Sequence, residues 1–515
     1  MIPVNGKPVI AWILEDIIRK GITAVTLVMR SDDTLLDTFV GNLYLRRVTL
    51  DRILIDQSES ILDSLLQGID RLDDEPLGIV LGDTLIRDNF HGTSDFVYIH
   101  EVHDSHRWCL VQTDSSRVIT RYLDKIPGVP PPCNALCGYY YFTNVSVLRD
   151  SLKRTLAEGK RQLSDMLTEY QREIPITAVT ATEWFDFGNI DNLIRSKQLL
   201  LQSRYFNSLT VNPLLNAITK VSEFDEKLRN ELSWYESIPD EIKVLSPRII
   251  SKQQINGKLH MVQEYYGYPT LAELFIYSNI DSEIWSSIFQ KLLEIHKVFR
   301  SYPSDLDPDD LRAMYYTKTF ERLQQSRDSP VLEDLMEREY LEVNGKKLQG
   351  FPLLRDALKV AIEDLSKTTK GCIIHGDYCF SNILFDYGNQ IIRLIDPRGS
   401  FGKVGIYGDP RYDIAKLRHS VAGRYDLIVS DLFRLFSKGE SIELVYYPIG
   451  NYELLTAEFD RLVESIGYNP REIMLIEGLL FLSMLPLHRD RPRRQGAMFL
   501  RGIELLNKVF AHQYA

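Results

Sequence analysis

The stretch that decides the fold of the second half of the chain is HGDYCFSN at residues 375–382. It contains an aspartate, Asp377, with an asparagine, Asn382, five positions later. Two apolar runs within 383–395 flank the turn-forming sequence DYGN, and this arrangement predicts a β-hairpin. Because Asn382 begins the hairpin and Asp396 follows it, we expect these three polar side chains to converge.

The residue types in this pattern suit phosphoryl transfer. That reaction needs an oriented hydroxyl, a metal that clamps the phosphates and neutralised charge, with little covalent help from the protein. Asp377 is the candidate catalytic base, and the oxygens of Asn382 and Asp396 are candidate magnesium ligands. Each residue alone is common in turns, and a lone His375 is usually a core histidine. Together, at this spacing, they favour a catalytic loop.

The pattern resembles the aminoglycoside phosphotransferase and choline kinase family, whose catalytic loop reads H-G-D-x-x-x-x-N. The resemblance covers roughly residues 203–515, and GDPRYDIA at 408–415 is similar to that family too, with Asp413 bracing the loop. It implies an α+β bilobal fold like that of protein kinases, with ATP as phosphoryl donor and Mg²⁺ as cofactor. We expect a small lobe at about 203–268 and a large lobe at about 269–515.

The same resemblance implies nucleotide-binding residues in the small lobe. A lysine on a central strand, paired with a helix glutamate, holds the α- and β-phosphates in such kinases. Lys220 and Glu231 are the candidates, and Lys227 and Glu236 are the substitutes. The segment MVQEY at 261–265 resembles the strand-to-hinge segment that bonds adenine, which makes Glu264 and Tyr265 cofactor-binding candidates.

Two basic features could meet an anionic substrate. Arg398 lies two positions after Asp396, where it would contact phosphate or substrate or form a structural ion pair. The run HRDRPRRQ at 488–495 is either a solvated helix start or a loop that meets an anionic substrate.

The first 200 residues alternate short β-rich runs with helical runs, which predicts an α/β, Rossmann-like layer structure with a largely parallel sheet. Ordered pieces resemble sugar-phosphate nucleotidyltransferases: PVNGKPVI at 3–10, LGD at 81–83, DK at 124–125, GYYYF at 138–142 and WFDFG at 184–188. The resemblance implies that Asp83 and Asp186 bind a metal that neutralises a triphosphate, and that Lys125 contacts a sugar phosphate.

This first half departs from its family at the start. The family opens with a strand and a Gly-rich loop that cradles the nucleotide phosphates. Those elements precede the PVNGKP motif, and here Met1 falls just before it. We therefore expect either a coding start further upstream or the loss of nucleotidyl transfer, and weak or no nucleotidyltransferase activity in the chain as it stands.

Bulk composition limits the function classes. The chain has 515 residues, enough for two domains, which we expect at 1–202 and 203–515. The formal net charge of −11 argues against sequence-independent nucleic-acid binding. The longest apolar run, near 475–487, is too short for a membrane span and predicts a buried helix. Five sparse cysteines favour a reducing compartment, so we expect a cytoplasmic protein, and the sequence leaves a homo-oligomer open.

These observations lead to three functional hypotheses. The first is an ATP-dependent kinase that phosphorylates a hydroxyl of a small sugar, polyol or amino alcohol for surface-polysaccharide or glycoconjugate synthesis. The second is a bifunctional kinase and nucleotidyltransferase that makes a nucleotide-activated sugar or alcohol. The third is a non-catalytic protein that binds sugar nucleotides or acts as a scaffold.

Overall fold

The computed structural model describes residues 1–44, 47–89, 92–201, 207–212, 214–222 and 225–511. Within it the chain divides into two compact units, Met1–Leu199 and Leu200–Ala515. Each unit has its own apolar core, so each is described by itself.

The first unit mixes helices with short strands. Its helices are α1 (Val9–Arg19), α2 (Thr34–Leu43), α3 (Ile61–Ile69), α4 (Val145–Ala157), α5 (Leu163–Tyr170) and α6 (Ile190–Leu199). Its strands are β1 (Pro3–Val4), β2 (Lys7–Pro8), β3 (Ala24–Arg30), β4 (Thr49–Ile55), β5 (Leu77–Val80), β6 (Thr84–Ile86), β7 (Phe96–Val102), β8 (Cys109–Thr113), β9 (Ile119–Asp124), β10 (Cys133–Phe142), β11 (Thr177–Thr180) and β12 (Trp184–Asp186).

The main sheet of this unit has the order β11-β7-β10-β8-β9, with β5 also paired to β10. Strands β7 and β11 run parallel, whereas β7, β10, β8, β9 and β5 pair antiparallel. The expectation of a largely parallel sheet was therefore wrong. The connections between β7, β8, β9 and β10 contain no helix, and a parallel pair of neighbouring strands needs a long crossover connection, usually a helix. A parallel pair, β3 with β4, is joined through α2.

Helices cover one face of this sheet. Leu62 of α3, Leu148 of α4 and Met166 of α5 are fully buried in one cluster with Val97 of β7 and Phe142 of β10. Helix on sheet is the standard way for both elements to bury their apolar faces, and this layer holds the strand ends of the first unit in place.

The second unit begins with a strand-rich part and becomes mainly helical. Its strands are β13 (Asn207–Asn212), β14 (Ala217–Ser222), β15 (Ile249–Ile255), β16 (Lys258–Glu264), β17 (Pro303–Asp305), β18 (Tyr340–Val343), β19 (Lys346–Gln349), β20 (Lys370–Ile373), β21 (Ile383–Asp386), β22 (Ile391–Leu394), β23 (Ser400–Phe401), β24 (Lys403–Val404), β25 (Tyr407–Gly408), β26 (Phe433–Lys438) and β27 (Ser441–Tyr446).

Its helices are α7 (Asp225–Ser237), α8 (Asp240–Lys243), α9 (Leu271–Tyr277), α10 (Ser282–Arg300), α11 (Pro308–Arg312), α12 (Lys318–Gln325), α13 (Leu332–Glu337), α14 (Phe351–Leu365), α15 (Pro410–Val421), α16 (Tyr425–Val429), α17 (Tyr452–Ser465), α18 (Pro470–Met484) and α19 (Pro492–Phe510). A π-helical turn, Ala313–Thr317, leads directly into α12, and 3-10 turns occupy Phe380–Asn382 and Leu485–His488.

The strand-rich part is an antiparallel sheet in the order β13-β14-β16-β15. Helix α7 packs on it: Leu228 and Leu232 are buried in the same cluster as Leu259 and Met261 of β16. Lys220 lies on β14, a strand with neighbours on both sides. The sheet therefore fixes the position of this lysine relative to α7.

The helical part contains a hairpin where it was predicted and a sheet that was not. Strands β21 and β22 pair with Ile383 opposite Leu394, as the sequence indicates. A second sheet, β19-β18-β27-β26, was missed, because the sequence indicated only the hairpin within 383–395 in this part of the chain. Helix α18 contains most of the long apolar run and is buried. None of the helices in the described residues is both long and apolar enough to cross a membrane.

Candidate active site

The loop after β20 is held by buried polar contacts. Asp413 of α15 is fully buried, and its carboxylate accepts hydrogen bonds from the backbone N–H of His375 at 2.7 Å and of Gly376 at 2.8 Å. Burial raises the pKa of Asp413 to about 7, although the two N–H donors oppose that shift. His375 is fully buried as well, and burial lowers its pKa to about 4. The imidazole is therefore neutral at pH 7 and serves the loop as a packed ring.

Gly376 is needed where the loop turns. Its φ of 76° lies in the left-handed region, and a Cβ there would come within 2.7 Å of the Arg398 Cβ. Glycine adopts this conformation at no steric cost. The turn directs the next residue, Asp377, away from the strand.

Asp377 makes contacts to one asparagine and one lysine. The Asn382 amide nitrogen donates to the Asp377 carboxylate at 2.9 Å and to its backbone oxygen at 3.0 Å. The Lys416 Nζ of α15 lies 2.8 Å from the other carboxylate oxygen. Burial would raise the pKa of Asp377, but the ammonium of Lys416 outweighs it and holds that pKa below its ordinary 3.8. The side chain keeps 40 % of its exposure, so an ionised carboxylate faces the solvent.

The hairpin brings the two candidate metal ligands together. The Ile395 N–H donates to the backbone oxygen of Asn382 at 3.0 Å, which places Asp396 directly beside the start of the hairpin. Asp396 has a φ of 57° and its N–H donates to the hydroxyl of Tyr235 at 3.2 Å.

The donor set fits Mg²⁺. Both amide hydrogens of Asn382 are directed at Asp377, which leaves its amide oxygen as the ligand atom, and Asp396 adds a carboxylate with 36 % side-chain exposure. Mg²⁺ binds hard oxygens and takes its remaining ligands from water and phosphate, so two protein oxygens are enough.

Lys220 lies between two acids. Its Nζ is 2.6 Å from Glu231 of α7 and also forms an ion pair with Asp396. Burial alone would lower the pKa of Lys220, but the two carboxylates outweigh it and the pKa is raised, so the ammonium persists. Burial raises the pKa of Glu231 to about 7. The substitutes lie elsewhere: Lys227 is exposed on α7, and Glu236 pairs with Lys252.

Glu264 and Tyr265 lie at the end of β16, where the hinge segment was expected. Their backbone N–H groups are already used: Glu264 donates to Arg248 O at 3.0 Å and Tyr265 donates to Asn216 O at 2.7 Å. The Glu264 carboxylate accepts from Tyr266 at 2.7 Å and from the Arg248 N–H at 3.0 Å. An adenine ring at this edge would therefore need other groups than these two N–H donors.

Arg398, Lys318 and Lys416 are cations that act on Asp377, and Arg322 lies beside Arg398. The Arg398 Nη1 donates to the hydroxyl of Tyr412 at 3.1 Å, and the Lys318 Nζ of α12 lies 3.3 Å from the same hydroxyl. Arg322 of α12 donates to Ser483 O at 2.7 Å. Sequence reasoning missed Lys318, Arg322 and Lys416, and for Lys416 the signal was its position three residues after Asp413.

The basic run at 488–495 has structural partners of its own. Arg494 forms two hydrogen bonds of 2.7 Å to Asp431, and Arg489 donates to Gln325 O at 2.8 Å. Gln495 donates to Leu485 O at 2.9 Å. These contacts fit a helix start better than a loop that meets substrate.

In the first unit, two of the three candidate residues come together. Asp83 and Asp186 both approach Gly188: a Cβ on that glycine would lie 2.8 Å from the Asp83 carboxylate and 3.4 Å from that of Asp186. Asn192 donates to Asp186 at 2.7 Å. Burial, and also the charge of Asp83, raise the pKa of Asp186. Two carboxylates side by side suit a divalent cation, which binds hard oxygen ligands.

Among the described residues, Lys125 shows no hydrogen bond or ion pair to Asp83 or Asp186. It is exposed at the end of β9, with a φ of 52°, and its N–H donates to Trp108 O at 2.9 Å. Across the described part of the chain, no three His, Cys, Asp or Glu side chains form a metal cluster.

Comparisons with known proteins match two successive segments of the chain, with a boundary a few residues from the one between the two compact units. Residues 1–203 match the family model described as nucleotidyl transferase, and residues 204–432 match the one described as the phosphotransferase enzyme family. A search of the curated proteins finds none that matches this chain.

Solved structures similar to each part exist. A UDP-glucose pyrophosphorylase complexed with UDP-glucose is 18 % identical, with a TM-score of 0.32 over 39 % of this chain and 88 % of that one. HddC from Yersinia pseudotuberculosis is 14 % identical, with a TM-score of 0.33 over 39 % and 88 %. The aminoglycoside phosphotransferase APH(4)-Ia is 13 % identical, with a TM-score of 0.39 over 59 % and 91 %.

The family models thus bear on both halves of the chain. The chain joins a nucleotidyl transferase-like segment, residues 1–203, to a segment similar to the phosphotransferase enzyme family, residues 204–432.

Proposed function

We propose that the C-terminal domain transfers the γ-phosphoryl group of ATP to a hydroxyl of a small polar metabolite. The observation that carries this proposal is the set of contacts around Asp377, which Asn382 and Lys416 hold beside Asp396 and Lys220. Phosphoryl transfer depends on positioning and charge neutralisation, and this set supplies groups for both.

In this proposal Asp377 orients the acceptor hydroxyl. Its pKa lies below 3.8, so it is ionised at neutral pH and accepts a hydrogen bond from the hydroxyl. A base of this strength takes the proton late, once the oxygen of the acceptor has begun to bond to phosphorus. Lys416 keeps the carboxylate ionised, and Lys220 binds the α- and β-phosphates. Magnesium, held by Asn382 and Asp396, would neutralise charge on the phosphates.

We place this reaction in the cytosol, where ATP is supplied, and its product in the synthesis of surface polysaccharide or a related glycoconjugate. The support for that pathway is the fusion itself. A kinase joined to a nucleotidyl transferase domain suits consecutive steps, phosphorylation and then coupling to a nucleotide.

A second candidate function belongs to the N-terminal domain, and the approach of Asp83 to Asp186 favours it. We propose that this pair binds a divalent cation together with a nucleotide or a sugar nucleotide. Nucleotidyl transfer would make the protein bifunctional; binding without transfer would make this domain a sensor or scaffold for the kinase product.

The kinase proposal is tested by measuring magnesium-dependent ATP turnover against sugars, polyols and amino alcohols, beside Asp377→Asn. We expect one acceptor class to stimulate turnover, and the variant to lose about 10²–10⁴-fold in kcat, the usual contribution of general acid–base catalysis. Failure of ATP to bind even with magnesium would overturn the proposal. That result would favour the third hypothesis, a non-catalytic protein that binds sugar nucleotides or acts as a scaffold.

The N-terminal proposal is tested separately. The proteins compared are the Asp396→Asn variant, in which the metal site of the kinase domain is removed, and the Asp186→Asn/Asp396→Asn double variant. Each is titrated with Mn²⁺, and the electron paramagnetic resonance signal of Mn²⁺ reports how much metal is bound. We expect one binding event in that background, which Asp186→Asn abolishes. Equal Mn²⁺ binding by the two proteins would exclude a metal site at Asp83 and Asp186.

A further inference from the structure

Three cationic side chains that lie near one another, two of them facing the charge of Asp377, have no carboxylate partner among the described residues. They are Lys318, Arg322 and Arg398, here called the cationic cluster. Lys318 and Arg398 both donate to one hydroxyl, that of Tyr412, and Lys318 also lies 5.6 Å from the centre of its ring. Two like charges therefore share a single neutral acceptor.

Other buried cations of the same domain are arranged differently, since each has an acid. The pairs are Lys220 with Glu231, Lys416 with Asp377, Arg411 with Asp409, and Arg418 with Glu477 and Asp460. Charges that are withdrawn from water are normally paired in this way, because an uncompensated buried charge is costly. The cationic cluster brings three such charges together without an acid among the described residues.

The charges of the cluster disfavour one another. Burial, then Arg398 and Arg322, lower the pKa of Lys318 well below 10.5. Burial and Arg398 also lower the pKa of Arg322. An anion placed among them would offset this repulsion and raise the pKa of both Lys318 and Arg322.

The cluster lies next to the catalytic loop. The Arg398 N–H donates to the backbone oxygen of His375 at 2.9 Å, and Gly376 is in contact with the Arg398 side chain. Lys318 and Arg322 are one turn apart on α12 and so project from the same face. The π-helical turn Ala313–Thr317 immediately precedes Lys318, and such turns are frequent at functional sites.

We propose that the acceptor carries an anionic group, a phosphate or a carboxylate, near the hydroxyl that receives the phosphoryl group, and that Lys318 and Arg322 bind this anion. The inference rests on the proposed kinase function and names its substrate class. It also predicts that cationic amino alcohols are poor acceptors, because three cations would repel them.

The nucleotide phosphates are the competing anion for this cluster. They already have Lys220 on β14 and a metal site at Asn382 and Asp396, whereas Lys318 and Arg322 come from a helix of the large lobe. Because these groups already serve the nucleotide phosphates, we assign Lys318 and Arg322 to the acceptor. If the cluster binds the acceptor, substitution of Lys318 or Arg322 raises the KM for the acceptor. If it binds the nucleotide phosphates, the same substitution raises the KM for ATP.

A binding experiment tests the inference without knowledge of the acceptor. Inorganic phosphate is titrated calorimetrically into the full-length protein saturated with Mg²⁺ and AMP-PNP, so that the γ-phosphate position is filled. We expect phosphate to bind, and its Kd to rise at least about tenfold, equivalent to 1.4 kcal/mol, in Lys318→Met and in Arg322→Met. Arg327→Met removes the same charge just beyond α12, from an exposed residue paired with Glu337, and should leave the Kd unchanged.

Stability supplies a control for folding. Lys318 makes its hydrogen bond to a tyrosine hydroxyl and has no acid, so Lys318→Met should keep or raise the Tm. Absence of phosphate binding to the wild type, or unchanged binding by both variants, overturns the inference. A variant that unfolds is replaced by Lys318→Gln, which keeps the length of the side chain close and removes the charge.

Turnover then separates the two proposals. Glycerol, glycerate, glycerol 3-phosphate and choline form a series of neutral, carboxylate, phosphate and cationic hydroxyl compounds. We expect the anionic members to support Asp377-dependent turnover best, with Lys318→Met raising their KM at least about tenfold and leaving the KM for ATP unchanged. The better of the two anionic members identifies the anion. ATP turnover that favours choline, or a raised KM for ATP alone, contradicts the inference while leaving the kinase in place.

Discussion

At the scale of single residues, the sequence predicted that Asp377, Asn382 and Asp396 come together, whereas their charged neighbours could not be predicted. Asp377, Asn382 and Asp396 lie within 20 positions of one another, and a local hairpin brings them together. Lys318 and Arg322 come from a helix more than 50 residues earlier. Nothing in the sequence around them distinguishes them from exposed helix cations, because tertiary packing alone turns them inward.

The pairing of Asp377 with Lys416 makes a testable prediction about pH. Lys416 lowers the pKa of Asp377, and burial would raise that pKa if the lysine were absent. In Lys416→Met we therefore expect the acidic limb of the kcat/KM profile to move to higher pH. In wild type we expect the limb below pH 3.8, because Lys416 holds the pKa of Asp377 below that value.

The matched variant is Lys416→Arg, which keeps the positive charge and should keep the limb near its wild-type position. The pH profile is measured with one acceptor at saturating ATP. An acidic limb that stays in place in Lys416→Met would show that Asp377 is not the group whose ionisation limits turnover.

Asp413 offers a second prediction at this scale. Its carboxylate holds the catalytic loop through the N–H groups of His375 and Gly376. Replacing it by alanine leaves two buried donors without an acceptor, which costs about 1–3 kcal/mol for each. We expect Asp413→Ala to lower the free energy of unfolding, measured by urea denaturation, and to lower kcat with little change in the KM for ATP. A stable variant with normal kcat would contradict a bracing role.

At the scale of secondary structure, the sequence predicted local hairpins and amphipathic helices better than sheets assembled from distant strands. Helix α18 and the hairpin β21–β22 lie where their patterns indicate. The sheet β19-β18-β27-β26 was missed, although Asn344-Gly345 between β18 and β19 is a strong turn signal. Its second hairpin lies about 90 residues further on, and only folding brings the two hairpins side by side.

The loop after Asp396 packs against helix α7, and this contact makes a testable prediction. Gly399 has a φ of 65°, and a Cβ there would lie 2.0 Å from the backbone oxygen of Asn230 in α7. The side chain of alanine would push α7, and with it Glu231, away from Lys220. A left-handed alanine alone costs roughly 1–2 kcal/mol.

We therefore expect Gly399→Ala to lower the Tm and to raise the KM for ATP. Gly388→Ala is the control, since its Cβ would meet no atom closer than 3.5 Å in the hairpin turn. The two variants are compared by thermal denaturation and by steady-state kinetics. Identical behaviour of both variants would mean that the packing of α7 on this loop does not set nucleotide affinity.

At the scale of the whole molecule, the composition and two separate motif sets indicated two domains, and the chain falls into two compact units with separate cores. The parallel sheet expected for the first unit was wrong, because the strand–helix alternation was read as continuous across β7 to β10. Hydrophobic runs identify strands, but the length of the connection between two strands decides how they pair.

Separate cores predict separate unfolding transitions. In scanning calorimetry we expect two transitions, and Mg²⁺ with AMP-PNP should raise the one that belongs to the C-terminal unit through its site at Asn382 and Asp396. At 100 times the Kd, the stabilisation is about 2.7 kcal/mol. The control is Asp396→Asn, which weakens the metal site and should remove the shift. One transition that shifts as a whole would show that the units unfold together.

The central claim is that the centre around Asp377 phosphorylates a hydroxyl. The most direct test is phosphorus NMR of the reaction mixture that contains the full-length protein, Mg²⁺, ATP and an anionic hydroxyl compound. The account predicts a new phosphomonoester resonance that grows as ADP appears, and that is absent with Asp377→Asn. ADP and inorganic phosphate without a phosphomonoester, or an equal phosphomonoester signal from the variant, would contradict it.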